Sequence, residues 1–387
     1  METLALYIHW PFCAAKCPYC DFNSHVRDRV DQAAFAAALR AELAREAGRA
    51  NQAGRRTLAS IFFGGGTPSL MAPSTAAALI EDAALLFDMA PDIEITLEAN
   101  PTSVELPKLR DFRGAGINRV SLGVQALDAE ALAFLGRKHD TAEAITALEH
   151  ARETFPRVSF DLIYARPGQA EAAWRAELRQ ALALAADHLS LYQLTIEPGT
   201  QFATLFGRGA FRLPEGHDAE RLYTATAEEA AGFGLLPYEI SNYAQPGAES
   251  RHNLAYWRYG DYLGIGAGAH QRLTLPDGTL LAARRHRAPE EWLLRVRRDG
   301  HAVVEEAALS PRDRAREALL MGLRLQEGID PARIARRSGL PFADCVEPGA
   351  VEGMAAEGLL EWRPDGRLAA TPDGLLRLDA LLPLLVK

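Results

Sequence analysis

The sequence predicts an α/β fold: a partial (β/α)6 barrel followed by a smaller C-terminal winged-helix-like α+β domain. Three observations carry this reading. Apolar runs of strand length recur at residues 4–10, 60–63, 94–98, 119–125, 158–165 and 188–196. Stretches rich in Ala and Leu, with apolar residues at helical spacing, separate them, most clearly at 31–47, 74–87 and 171–186. After about residue 310 this rhythm gives way to short helices and a hairpin, 359–362 and 368–371, turned through Pro364, Asp365 and Gly366.

Strands that are apolar on both faces and alternate with helices belong to a parallel sheet with crossovers on its faces, either open or curled into a barrel. In both forms the chemistry gathers where the strands end at their C-terminal edge. The six repeated units assign residues 1–235 to the barrel. The next segment, 236–309, is rich in Gly, Pro, Tyr and Trp and is expected to flank the barrel or cover its open side. Residues 310–387 form the last domain. Its 11 basic and 12 acidic residues argue for a packing role over DNA binding.

Composition narrows the function classes. The 387 residues are 48% hydrophobic, enough for one large core and an appended domain. With 42 basic against 51 acidic residues and a formal charge of −9, nothing in the charge balance favours nucleic acid. The opening METLALYIHWPFC lacks the basic start and unbroken apolar stretch of a signal peptide. The late apolar run 381–386 is broken by Pro383 and falls far short of the ~20 residues of a membrane span. The expectation is a cytoplasmic protein with at most peripheral membrane contact.

Four cysteines are present, and three of them, Cys13, Cys17 and Cys20, fall within eight residues directly after the first strand. That is no disulfide framework. Three thiolates on so short a loop suit a metal group. An iron–sulfur cluster would keep one iron open, whereas structural zinc would need a fourth ligand, for which His9 or His25 is available. The distant Cys345 reads as a small buried apolar residue.

Further candidates follow at strand ends. Gly64-Gly65-Gly66-Thr67-Pro68 comes after the second strand, where glycine permits close backbone approach to a ligand. Glu98 and Asn100 end the third strand and can accept hydrogen bonds from hydroxyl groups. Gln125 ends the fourth. Arg137 can pair with a carboxylate, and Asp161, inside an apolar strand, would be costly to bury without a partner.

The Cys-x3-Cys-x2-Cys spacing after a strand resembles the radical S-adenosylmethionine superfamily. The segments YIHWPFC, GGGTP, EANP, SLGVQ, LGRKH, EPGTQF, YEISNYA and YLGIGAGAH are similar to its coproporphyrinogen III dehydrogenase-like branch, and most of all to the HemW haem chaperones. The resemblance implies a [4Fe-4S] cluster on Cys13, Cys17 and Cys20, with S-adenosylmethionine on the free iron. It implies contacts to that molecule from Tyr7, Tyr19, Gly65, Gly66, Thr67, Glu98, Gln125, Arg137 and Asp161. Two departures stand out: Ala165-Arg166 where the family has Gly-Leu, and Ala126-Leu127 where it has Ser-Phe. Both bear on loop geometry.

Within that branch the dehydrogenases, which decarboxylate porphyrinogen propionates by radical chemistry, carry a longer N-terminal extension and a further cysteine two positions past the third. Here that position is Phe22. His252-Asn253-Leu-Ala-Tyr256-Trp257 resembles the haem-binding HNxxYW motif of the chaperones. Imidazole and phenolate can ligate haem iron and an indole can pack on the macrocycle; spacing does not choose among them. The resemblance therefore implies haem as cargo, a haem-acceptor protein that is respiratory by analogy, and an electron donor. The alternatives are the porphyrinogen dehydrogenase and a structural zinc protein with an interaction role.

Overall fold

The computed structural model describes residues 3–102 and 105–387. Six parallel strands run in chain order through its centre: β1 Leu4–Trp10, β2 Thr57–Gly65, β3 Asp88–Ala99, β4 Arg119–Gln125, β5 Arg157–Tyr164 and β6 His188–Gln193. Each is hydrogen-bonded to the next. Helices return the chain between them: α1 Gln32–Ala50, α2 Pro73–Leu86, α3 Leu109–Gly114, α4 Ala129–Phe134, α5 Thr141–Thr154 and α6 Glu171–Leu184. Apart from the first half of β3, residues 88–93, the strands are largely buried because helices cover one face and a partly enclosed interior the other.

Local sequence explains the starts of these helices. Asp31 accepts a hydrogen bond from the Ala34 amide at 3.0 Å and caps α1, whose Phe35, Leu39 and Leu43 face the core; losing such a cap costs about 1 kcal/mol. Asp140 and Glu143 form a reciprocal capping box on α5.

The sheet curls. Tyr7 of β1, Phe62 of β2, Glu98 of β3, Ser121 of β4 and Ser190 of β6 line a single cavity, which strands at the two ends of a flat sheet could not share. The partial barrel expected from the alternating pattern is therefore present.

The segment 236–309 continues the sheet on both edges instead of lying over it. On one edge, β7 Leu236–Pro237 pairs antiparallel with β8 Asn242–Ala244, which pairs antiparallel with β6. Strand β9 Tyr262–Ile265 pairs parallel with β1, and β10 His270–Thr274, β11 Leu280–Arg285 and β12 Val303–Ala308 extend outward from it antiparallel. The result is a twelve-stranded sheet. Antiparallel neighbours need only short turns, so the strand–helix rhythm disappears from the sequence although the sheet does not. Buried Glu42 on α1 ties this extension down, accepting from the Gly266 and Ala302 amides at 2.8 and 3.1 Å and from Trp292 Nε1 at 3.2 Å.

The C-terminal domain has its own apolar core, with Leu319, Leu323, Ile334, Leu368 and Leu382 inside it. Helices Pro311–Gly322, Pro331–Ser338 and Ala350–Ala356 precede a hairpin of β13 Leu360–Trp362 and β14 Leu368–Ala370. Cys345 is buried among them, its thiol 3.4 Å from the Pro341 carbonyl. Asp261 fastens the domain to the barrel, accepting from Arg56 at 2.7 Å and Arg337 at 2.8 Å. No helix among the described residues is long and apolar enough to cross a membrane.

Candidate functional site

The chain leaves β1 at Trp10 and forms a loop closed at its base by pairing of Phe12–Cys13 with His25–Val26. Inside it the Cys20 amide donates to the Cys17 carbonyl at 3.2 Å. All three loop cysteines line a cavity of about 1160 Å³ at the C-terminal ends of the strands. Each sulfur meets a polar group: Cys13 accepts from Thr67 Oγ1 at 3.4 Å, Cys17 accepts from Arg137 Nη1 at 3.4 Å, and Cys20 lies 3.9 Å from Ser24 Oγ. Burial raises the thiol pKa of Cys13 and Cys20, so both are protonated without a metal beside them.

A single zinc ion fits less well. His9 is engaged by the Tyr7 hydroxyl at 2.9 Å and the Asn23 carbonyl at 2.9 Å. The other candidate fourth ligand, His25, has Nε2 3.2 Å from Asn23 Oδ1. Three thiols on one loop, with an open cavity opposite, match the donor set of a cluster held by three cysteines.

Of the nine residues expected around S-adenosylmethionine, eight line this cavity: Tyr19, Gly65, Gly66, Thr67, Glu98, Gln125, Arg137 and Asp161. Tyr7 opens onto the adjoining cavity instead. Strand β2 runs on to Gly65, so the glycines begin within the strand. Gly65 has φ +114°, and a Cβ on Gly66 would stand 2.7 Å from the Phe12 carbonyl oxygen. Larger residues would push β2 away from the cysteine loop.

The cavity wall holds carboxylates that lack full partners. Glu98 accepts one bond, from the Gly65 amide at 3.2 Å; burial, reinforced by the charge of Asp161, raises its pKa to about 7. Asp161 accepts from the Val124 amide at 3.1 Å and from Gln125 at 2.8 Å, and burial still raises it to about 6. Such groups are ready acceptors for ligand donors. Arg137 connects the parts, donating to Asn100 Oδ1 at 2.6 Å and to the Gly123 carbonyl at 2.8 Å as well as to Cys17. Gln125 holds φ +71°, a strained backbone just where β4 ends.

The two family departures meet at one carboxylate. Ala165 occupies φ +56°, the left-handed region in which glycine is at ease. Arg166 pairs with Glu177, and Glu177 also accepts from the Leu127 amide at 2.8 Å.

A second cavity of about 690 Å³ lies deeper in the barrel and shares Gly65, Glu98, Ser121 and Tyr192 with the first. His252, Asn253 and Tyr256 line it. They sit on the helix Arg251–Trp257. His252 is buried, with Nδ1 3.1 Å from Ser60 Oγ and its ring stacked 4.8 Å from Phe62. Burial lowers its pKa to about 3, leaving the imidazole neutral and its lone pair available to a metal. Trp257 turns toward the C-terminal domain, beneath Arg324.

Two organising residues escaped the sequence reading. Glu105 is buried and gathers Ser69, Thr102 and Asn100, whose amide it accepts at 3.0 Å. Glu94 is buried on β3 and accepts from Ser250 Oγ at 3.4 Å and the Arg251 amide at 2.9 Å, capping the helix that carries His252. It also pairs with Arg157 at 3.1 Å. Its position inside the predicted strand was the one available signal, since a charge there requires partners.

Curled parallel strands with a three-thiol loop at their C-terminal ends define the class as a radical S-adenosylmethionine protein. A family model described as the Radical SAM superfamily matches residues 7–181, and one described as the HemN C-terminal domain matches 309–377. The chain is 36% identical over 386 residues to "Heme chaperone HemW" of Escherichia coli, spanning 99% of this chain and 98% of that protein. It is 39% identical over 385 residues to "Radical S-adenosyl methionine domain-containing protein 1, mitochondrial" of Mus musculus, spanning 98% and 86%. Within the superfamily, the chain belongs to the HemW family. Among solved structures, coproporphyrinogen III oxidase (HemN) from Escherichia coli superposes with a TM-score of 0.80 at 24% identity, over 99% of this chain and 89% of that one, a likeness of fold.

Proposed function

We propose that the protein is a haem chaperone that carries a [4Fe-4S] cluster on Cys13, Cys17 and Cys20, takes S-adenosylmethionine at the open iron, and passes haem to an acceptor protein. The observation that carries this reading is the pair of adjoining cavities, one walled by the cysteine loop and the other by His252, Asn253 and Tyr256. One cavity suits a cofactor and the other a cargo.

In this reading Arg137 offers its charge to the methionine carboxylate while Glu98 and Asp161 accept from its amine and ribose hydroxyls. When bound, the reduced cluster supplies the electron that can cleave the sulfonium. Neutral His252 and Tyr256 supply the donors for haem iron, and the Ser60 hydroxyl beside Nδ1 orients the imidazole. An electron donor serves the cluster, and the acceptor is a respiratory haem protein met in the cytoplasm or at a membrane surface. Phe22 stands where the dehydrogenases have their additional thiol and lines both cavities, which supports the chaperone over the dehydrogenase.

The test is an anaerobic reconstitution with iron and sulfide followed by a haem titration, read by absorption, of the wild type and the His252→Ala, Tyr256→Ala double variant. One tightly bound haem in the wild type and loss in the variant are expected. Absence of haem binding in the wild type, with turnover of coproporphyrinogen III and release of carbon dioxide, would establish the dehydrogenase instead.

A further inference from the structure

Resting on the haem-binding reading, we propose that Arg324 is the anchor for a carboxylate of the tetrapyrrole cargo, with Trp257 holding it in place. A ladder of side chains leads from His252 to this residue. The His252 and Tyr256 rings are 6.2 Å apart, the Tyr256 and Trp257 rings 4.9 Å, and the Arg324 guanidinium carbon stands 4.9 Å from the Trp257 ring centroid. Arg324 lines the larger cavity, which adjoins the one lined by His252 and Tyr256, so the carboxylate it takes is that of a haem extending from the second cavity into the first.

Two donors in this contact are orphaned. Trp257 Nε1 and Arg324 Nε are both buried, and neither has a hydrogen-bond partner among the described residues. An unpartnered Nε is not peculiar to this contact, since Arg119 and Arg137 have one too, but Arg119 lies 3.8 Å from the Glu94 carboxylate and Arg157 pairs with the same carboxylate at 3.1 Å. Arg324 has no such carboxylate among the described residues. Glu239 is near enough to feel its charge, but that carboxylate is held by the Ser241 amide at 3.0 Å and by Asn242.

A guanidinium fork that faces a cavity and has no carboxylate partner among the described residues calls for a planar acceptor with two oxygens, which is a carboxylate. The cation–π contact fixes the guanidinium without consuming its donors. Since the ladder begins at the proposed iron-binding residues, the acceptor is a propionate of the same haem. The contact assigns Arg324 a specificity role, selecting a macrocycle with free acid groups.

The test compares haem with haem dimethyl ester, delivered in the same detergent, for wild type, Arg324→Gln and Arg324→Lys. The expected result is that the wild type binds the ester roughly tenfold to a hundredfold more weakly than haem. Arg324→Gln should bind haem as weakly as the wild type binds the ester and lose nothing further with the ester, and Arg324→Lys should fall between. Equal binding of haem and ester by the wild type would overturn the inference while leaving the haem-chaperone reading intact. Weakened binding of both ligands by Arg324→Gln would overturn it too, assigning the residue to packing. No haem binding by the wild type would remove the chaperone reading and this inference together.

Discussion

The mouth of the barrel and its interior handle buried charge in opposite ways. At the mouth, Glu98 accepts a single bond, and Glu98 and Asp161 both keep raised pKa values, with the strained backbones of Gln125 and Ala165 beside them. In the interior, Glu94 collects Ser250, Arg251 and Arg157, while His252 rests on Ser60 and Phe62. The mouth is built incomplete, as a site for a ligand that brings its own donors. Around the motif helix the buried carboxylate and the imidazole are met by protein groups, which hold the neutral ring in a fixed pose.

Removing a cysteine should separate the two regions most sharply. Cys17→Ala is expected to lose the cluster altogether, measured as bound iron and sulfide after anaerobic reconstitution, while circular dichroism stays that of a folded barrel. Retention of stoichiometric iron and sulfide would refute the ligand assignment.

The next effect belongs to the interior. Glu94→Gln strips the charge that Arg157 faces and weakens the cap of the motif helix, so chemical denaturation should report a loss of about 3 kcal/mol. A change below ~0.5 kcal/mol would mean that Glu94 is not the tie described.

At the mouth the sign reverses. Glu98 has a folded pKa, about 7, above the ordinary carboxyl value of 4.5. Its contribution to stability is therefore fully present below about pH 4.5 and lost as the pH rises through about 7. Thermal denaturation of the cofactor-free protein should show stability falling across that window, by roughly 1–3 kcal/mol from this group. Glu98→Gln should flatten the fall. An unchanged pH profile in that variant would show that Glu98 is not strained in the way its burial implies.

The smallest effect tests the backbone. Ala165→Gly should stabilise the protein by about 1 kcal/mol, because Ala165 sits at φ +56° where a Cβ is penalised. A loss of stability would mean that the Ala165 side chain packs better than its backbone suffers.

The same contrast explains what the sequence revealed. Mouth residues lie where strands end, so each comes with a short local signature: the cysteine spacing, the glycine run, Glu98 two residues before Asn100. Interior residues sit within strands and meet across the barrel. Ser60 touches His252, 192 positions away, and Glu94 reaches Arg251 over 157. No local pattern marks such pairs. Six strands and the hairpin were legible because burial on both faces and turn residues leave local traces. The edge strands of 236–309 were not, since short antiparallel additions carry neither a long apolar run nor a crossover helix. HNxxYW was legible as a motif, yet its helix and the turning away of Trp257 depend on Glu94 and Arg324, which lie far from it in sequence.

The account's central claim is that cofactor and cargo occupy two adjoining sites. Haem titration of the cluster-free Cys17→Ala variant tests it most directly. The account predicts one haem bound with wild-type affinity, because His252 and Tyr256 line a cavity that the cysteines do not. Haem binding that disappears together with the cluster would contradict it.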